Sequence, residues 1–242
     1  MGRGGPTKPL NIGNCMHAVI LAAGLGTRLG HGKPKALAQL TNGETMLGRQ
    51  LRLLAPTVSP DRTIVVVGYR RETISDAYPQ VRCVVNESYA STGTARSLEI
   101  GLRAVRDDDA MFINGDVVFD SGVVEMLIAQ AASGMAVNTA TCGEEEMKYS
   151  IDADHRILAV SKSLNEGVGE ALGVNMVRSG DRDALVKSLA KCGERDFFER
   201  GIEFAISDGV TFRAVNVDGE LCVEVDTQAD LDRANRALLE ME

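Results

Sequence analysis

Four charged side chains in this sequence have the types and settings that chemistry on an anion requires. Arg28 and Lys35 share one glycine-rich loop, LAAGLGTRLGHGKPKAL, which follows the apolar run Val19-Ile20-Leu21. Small residues there let a ligand approach the backbone closely, and N–H groups flanked by two cations suit a phosphate. Asp116 follows a second apolar run in MFINGDVVF, and Asp226 closes a third in CVEVDTQADL. Open α/β sheets bind ligands outside the carboxyl ends of their strands. Two carboxylates at such ends, beside a phosphate loop, suit Mg²⁺, which takes one or two carboxylates together with phosphate oxygens. Either aspartate alone reads as an ordinary turn or helix cap. Their joint presence with the loop makes them metal candidates. Glu224, two residues before Asp226, shares its strand face and is placed to assist the metal, its waters or the acceptor.

The elements that must carry these residues follow from periodicity. Val19 to Leu21 has the continuous apolar character of a central parallel strand covered on both faces. Leu47, Leu51 and Leu54 make a helix stripe over 45–55, stopped by Pro56. Strands are expected at 63–67, 81–85 and 110–114, with helices at 71–77 and 94–105 between them. That alternation predicts an α/β fold with a doubly wound, mostly parallel sheet of Rossmann-like type. After a helix at 121–133, strand-like segments at 135–141, 148–152, 157–161 and 171–177 crowd together. They are expected to continue the sheet and to add a small antiparallel excursion over the acceptor side. Helices at 181–192 and 197–206, strands at 210–217 and 222–225, and a helix at 227–240 capped by Thr227 complete the chain.

Composition sets outer limits. The 242 residues suffice for one α/β domain with a substantial core, so a flexible leader over 1–14 and a single domain over 15–242 are expected. A formal charge of −8 argues against a nucleic-acid surface and against anionic membranes. No stretch has the length of a membrane-spanning helix, and the first residues contain no apolar signal core. The five cysteines are widely spaced without CxxC pairs, which fits reduced, mostly buried thiols and a cytoplasmic protein. The three histidines are isolated, so no histidine metal site is visible. Oligomeric state is not readable, and a homodimer stays open.

The loop LAAGLGTRLG…KPKAL resembles the signature of the sugar-phosphate nucleotidyltransferase superfamily, and the NGD and E-x-D elements around Asp116 and Asp226 match its metal motifs in order. The resemblance runs from about His17 to the last helix and implies a GT-A-like nucleotidyltransferase fold. It implies that Leu21, Ala22, Ala23, Gly24, Leu25, Gly26 and Thr27 hold the base and phosphates, that Arg28 meets the β/γ-phosphates, and that Lys35 meets the α-phosphate region. Only six residues separate Arg28 from Lys35, as in the compact members. The segment NESYASTGTARSL is similar to one in the LicC-like phosphocholine and phosphonate cytidylyltransferases, where it lies beside the base and ribose. By that match Asn86, Thr92 and Ser97 bind the nucleotide, with Gly93 where the relatives carry Asn. The stretch EEEMKYSIDADHRILAVSKSL resembles the same branch and implies that Lys148, counted as catalytic with Arg28 and Lys35, and Lys162 face the acceptor.

The implied reaction is in-line attack by an acceptor phosphate or phosphonate oxygen on the α-phosphorus of an NTP, CTP being favoured, with release of pyrophosphate. A phosphate monoester is largely dianionic near neutral pH, its second pKa being about 6, so no general base is needed. Positioning two repelling anions and stabilising the transition state fall to Arg28, Lys35 and Mg²⁺. For the acceptor, Tyr149, Phe197 and Phe198 offer part of an aromatic cage for a trimethylammonium group. Glu170, Glu199 and Glu203 offer carboxylates for a primary amine, and Asn175 offers a polar contact for a polyol. The favoured acceptor is a small phosphorylated or phosphono alcohol or amine, of phosphocholine, 2-aminoethylphosphonate or inositol phosphate type. A sugar-1-phosphate uridylyl- or thymidylyltransferase is the alternative. A GT-A glycosyltransferase is disfavoured because Arg28 and Lys35 are present, and a non-catalytic regulator because both aspartates are intact.

Overall fold

Seven consecutive residues, Met16–Ala22, are buried as strand β1, and their alternation feeds both faces of a sheet. Ala18, Ile20 and Ala22 enter one core cluster, while Val19, Leu21 and Ala23 enter the other. The computed structural model describes residues 16–26, 29 and 32–240; the leader expected over 1–14, together with Thr27 and Arg28, lies outside the described residues.

From β1 the chain alternates as expected through α1 (Met46–Leu54), β2 (Thr63–Val67), α2 (Arg71–Ala77), β3 (Arg82–Val85), α3 (Thr94–Arg103) and β4 (Asp109–Asn114). β1 pairs in parallel with both β2 and β4, and β3 extends the sheet beyond β2. The winding direction therefore reverses between β1 and β4, the position where open α/β sheets form a ligand crevice. α1, α2 and α4 (Ser121–Ile128) cover one face, and α3 with the later α5 (Ser179–Leu189) and α6 (Phe198–Ser207) covers the other.

The second half departs from a purely parallel sheet. Strand order is β10-β6-β9-β4-β1-β2-β3, where β6 is Ser133–Val137, β9 is Gly169–Val177 and β10 is Phe212–Asn216. β9 is inserted between β4 and β6 and runs antiparallel to both. The expected excursion is the hairpin of β7 (Lys148–Ile151) and β8 (Ile157–Ser161), which joins β9 at Lys148↔Glu170. The helix expected over 121–133 ends at Ile128, and Ser133 opens β6 instead. Ser133 is fully buried: its hydroxyl donates to Asp181 at 2.6 Å and accepts the Arg178 N–H at 3.0 Å, contacts that override the helix propensity of Ala131 and Ala132.

A two-stranded antiparallel ribbon, β5 (Val117–Phe119) with β11 (Cys222–Glu224), lies off the main sheet. Its register sets Glu224 opposite Val117, and the Val225 N–H donates to the Asp116 carbonyl at 2.9 Å. Residues distant in sequence, Asp116 and Asp226, are thereby brought together. The last helix, α7 (Gln228–Glu240), begins with a reciprocal cap: Thr227 N–H donates to Asp230 Oδ2 at 2.8 Å, and Asp230 N–H to Thr227 Oγ1 at 3.3 Å. Of the described cysteines all are free thiols, but only Cys222 is buried; Cys83, Cys142 and Cys192 are half-exposed, against the expectation that most are buried.

Candidate active site

The Asn114-Gly115-Asp116 turn lies directly across the end of β1. Gly115 N–H donates to the Leu21 carbonyl at 2.9 Å, and a Cβ on Gly115 would sit 2.7 Å from that oxygen, so only glycine allows this approach. Lys35, on a short 3-10 turn (Lys35–Leu37), reaches into the same place. Its ammonium donates to Asp116 Oδ2 at 2.7 Å and to Asp226 Oδ1. Burial pulls the Lys35 pKa down, but the Asp116 and Asp226 carboxylates outweigh it and the net direction is up, so this lysine stays charged.

Three carboxylates meet at this junction. One oxygen each from Asp116, Glu224 and Asp226 lies within 4.8 Å of the others. Burial and the neighbouring Asp116 and Asp226 charges push Glu224 up to about 8. Asp116 Oδ1 is buried without a hydrogen-bond partner. A buried carboxylate oxygen with no donor beside two further carboxylates is the donor set of a hard divalent cation, so these residues fit Mg²⁺. The turn is pinned from below by Gln50 of α1, 1% exposed, whose amide donates to the carbonyls of Asn114 at 3.0 Å and Val117 at 2.8 Å. Those two carbonyls flank Gly115 and Asp116.

The junction lines a cavity of about 470 Å³. Leu21, Ala22, Gly24, Leu25 and Gly26 line it too. A Cβ at Gly24 would meet nothing within 4 Å, and Leu25 remains 43% exposed, so the loop presents open backbone and an apolar face to the cavity. The same cavity is lined by Glu145, Glu146, Glu170 and Glu199, with Lys162 and Phe197. Lys162 stands over the Phe197 ring at 5.4 Å and 3.6 Å from Glu145. Burial raises the Glu170 pKa and takes that of Glu199 up to about 7.

A nucleotide-like loop, a lysine held between two aspartates and a second, acidic half-site are what a two-substrate transferase needs. A family model described as the MobA-like NTP transferase domain matches residues 18–201. The chain belongs to that family. Its domain is a nucleotidyltransferase domain, and two curated relatives align over most of it. One is the CMP-5'-(3-aminopropyl)phosphonate synthase of Streptomyces rubellomurinus, 36% identical over 91% of this chain and 38% of that protein. Another is the Bifunctional IPC transferase and DIPP synthase of Archaeoglobus fulgidus, 30% identical over 93% of this chain and 44% of that protein. The chain spans less than half the length of these relatives. Among solved structures, the fold is similar to the CTP:phosphocholine cytidylyltransferase LicC of Streptococcus pneumoniae, with a TM-score of 0.74 at 20% identity over 93% of this chain and 99% of that one. It is also similar to the inositol-1-phosphate CTP transferase of T. maritima, with a TM-score of 0.73 at 19% identity over 90% of this chain and 92% of that one.

Within this NTP transferase domain the residues expected from sequence divide into two groups. Leu21, Ala22, Gly24, Leu25, Gly26, Lys35, Asp116, Lys162, Glu170, Glu224 and Asp226 line one cavity. Ala23 does not reach it: the residue is buried, and its carbonyl accepts the Tyr69 N–H at 3.2 Å. Asn86, Thr92 and Ser97 are bracing residues rather than lining ones. The Asn86 amide donates to Thr92 Oγ1 and Ser97 Oγ, both at 3.1 Å, which uses both of its N–H donors, and its oxygen accepts the Ser88 N–H at 3.1 Å. Gly93 has the carbonyls of Arg195 and Asp196 at 2.7 and 2.2 Å from where a Cβ would be, so the backbone of the α5–α6 loop fills the space of the relatives' Asn.

On the acceptor side five expectations are corrected. Lys148 turns away, its ammonium donating to the Leu164 carbonyl at 3.3 Å, and the preceding Met147 lines the cavity instead. Tyr149 is a core residue, 2% exposed, with its hydroxyl donated to the Asn138 carbonyl at 3.1 Å. Asn175 is buried in β9 between Phe112 and Met135. Glu203 is spent on the Val160 N–H at 3.3 Å and on Arg200 at 2.9 Å. Glu224 belongs with the aspartates rather than with an acceptor. Residues that sequence reasoning missed are Glu146 and Arg233, the latter paired with Asp230 at 3.1 Å on α7. The i, i+3 spacing of Asp230 and Arg233 after Asp226 was the available signal.

Proposed function

We propose that this domain transfers a cytidylyl group from CTP to a small phosphorylated or phosphono alcohol or amine and releases pyrophosphate. The observation that carries the reading is Lys35 held between Asp116 and Asp226 at the mouth of the glycine loop. The two long relatives and the two cytidylyltransferase-fold neighbours support the choice of CTP and of a small acceptor. In this reading an acceptor oxygen attacks the α-phosphorus as the bond to the β-phosphate oxygen breaks. Asp116 and Asp226, with Glu224 beside them, would hold Mg²⁺, which would supply charge neutralisation for the triphosphate. Lys35 keeps the two aspartates converged and carries a permanent positive charge to the α-phosphate region. The loop backbone from Leu21 to Gly26 orients the nucleotide, and Arg28 adds a cation for its outer phosphates.

Pyrophosphate release across the four NTPs, each paired with phosphocholine, 2-aminoethylphosphonate, inositol phosphate and glucose-1-phosphate, tests this. Turnover with CTP and one of the first three is expected. Turnover confined to UTP or dTTP with the sugar phosphate would replace the assignment by the sugar-1-phosphate reading.

Gln50 gives a prediction of its own. Gln50→Leu removes both donors while keeping the volume, leaving the carbonyls beside Asp116 unpaired. We expect kcat to fall about tenfold, because small displacements of a catalytic group are costly, and the half-saturating Mg²⁺ concentration to rise. A Gln50→Leu enzyme with unchanged kcat and Mg²⁺ response would show that the turn needs no such pin.

A further inference from the structure

We propose that Glu199 is the specificity residue for an acceptor carrying a primary ammonium group at one end and a phosphonate or phosphate at the other. The inference rests on the transferase reading above and narrows its acceptor. Glu199 sits in the first turn of α6, is 6% exposed and lines the cavity. Its Oε2 is buried with no hydrogen-bond partner. A carboxylate in that position is costly to bury unless something supplies donors, and a small side-chain rotation toward the cavity that Glu199 lines would let a ligand do so. Among the described residues, the cation whose field reaches it, Lys162, is engaged with Glu145 and the Phe197 ring.

The surrounding chemistry selects the ligand class. A primary ammonium offers three N–H donors and a full positive charge, which answers both the unpaired oxygen and the acidic wall of Glu145, Glu146 and Glu170. A trimethylammonium group has no N–H to donate and asks for aromatic faces. Of the three aromatic candidates, Tyr149 and Phe198 are buried, Phe198 packing edge-to-face on Phe112 at 5.4 Å. Only Phe197 reaches the cavity, with Lys162 over its ring. A neutral polyol would leave the carboxylate charge uncompensated. Lys35 and the carboxylate junction line the same cavity. A molecule carrying an ammonium for Glu199 and an anionic group for Lys35 answers both.

Calorimetric affinities for 2-aminoethylphosphonate, phosphoethanolamine and 2-hydroxyethylphosphonate, on wild type and Glu199→Gln, test the assignment. They are measured on the free protein and on protein loaded with Mg²⁺ and a non-hydrolysable CTP analogue. We expect the ammonium compounds to bind roughly 10- to 100-fold tighter than the hydroxyl isostere, the range of a charge-assisted hydrogen bond, and Glu199→Gln to abolish that preference. Comparison of the two ammonium arms tells phosphonate from phosphate ester. A preference that survives in Glu199→Gln, or one absent from wild type, overturns the proposal. Glu199→Gln must melt cooperatively for the comparison to count, and Glu199→Asp, which keeps the charge, should retain part of the preference. Loss of CTP turnover with every acceptor would overturn the transferase reading alone, since the affinity ratio decides this one separately.

Discussion

Asp116→Asn and Asp226→Asn are each expected to lower kcat by about a thousandfold or more, equivalent to about 4 kcal/mol of transition-state stabilisation. The argument starts from the junction itself. Two aspartates from different strands converge on one ammonium, with Glu224 so crowded that its pKa rises to about 8. Such a concentration of negative charge is unfavourable in the folded protein alone, and it becomes favourable when cations and triphosphate arrive. Neutralising one carboxylate therefore removes binding capacity for a metal without removing a structural support, because Lys35 keeps the other. Melting temperature should be unchanged or higher in both variants, while turnover at saturating Mg²⁺ is lost. Full activity in either variant would sink the metal assignment, and collapse of the fold would show that the junction is structural.

Stability should also report on Glu199, through its pH dependence. The carboxyl is raised from 4.5 to about 7 by burial, so the folded state prefers it protonated. Below pH 4.5 both folded and unfolded chains hold the proton, and this group does not tax folding. Between pH 4.5 and 7 the unfolded chain ionises freely and the folded one resists, so stability declines as pH rises and levels off above 7. A shift of this size corresponds to about 3 kcal/mol. Glu199→Gln removes the titration, so the variant should gain about 3 kcal/mol on wild type between pH 4.5 and 8, a difference on the order of 10 °C in Tm. Urea unfolding at the two pH values measures it. A variant-minus-wild-type difference that does not change with pH would mean the carboxyl is not desolvated as the structure has it. A residue retained at this cost fits a binding role better than a packing one.

The parts of the site legible in the sequence are those fixed by strand ends. Leu21 and Asp116 stand at the ends of buried parallel strands, where a residue has few other places to be, and Asp226 closes an apolar run of its own. Their convergence was harder to read, because the short ribbon of β5 and β11 that enforces it is only three residues on each side. The orientation of β9 was invisible for another reason: a fully buried strand lacks the alternation that reports its neighbours, and parallel and antiparallel pairing look alike in it.

The acceptor wall was the least legible region. Glu199 and Glu203 are one helical turn apart on α6, yet the first faces the cavity and the second meets Val160 and Arg200. Nothing in residue type separates them; only the seat of the first turn of α6 against the sheet does. Lys148 was expected to face the acceptor and is half-buried, but its length lets the ammonium find the Leu164 carbonyl rather than the cavity. Asn86 has the chemistry of a base-binding residue and instead spends both amide donors on Thr92 and on Ser97 of α3.

The most direct test of the central claim is a ³¹P NMR spectrum of the protein with CTP, Mg²⁺ and 2-aminoethylphosphonate. We expect pyrophosphate to appear together with a pair of mutually coupled resonances from a new P–O–P linkage between the cytidylyl and acceptor phosphorus atoms, and neither to form in Asp116→Asn. CTP consumed to CMP with the acceptor resonance unshifted, or product formed equally well by Asp116→Asn, would contradict it.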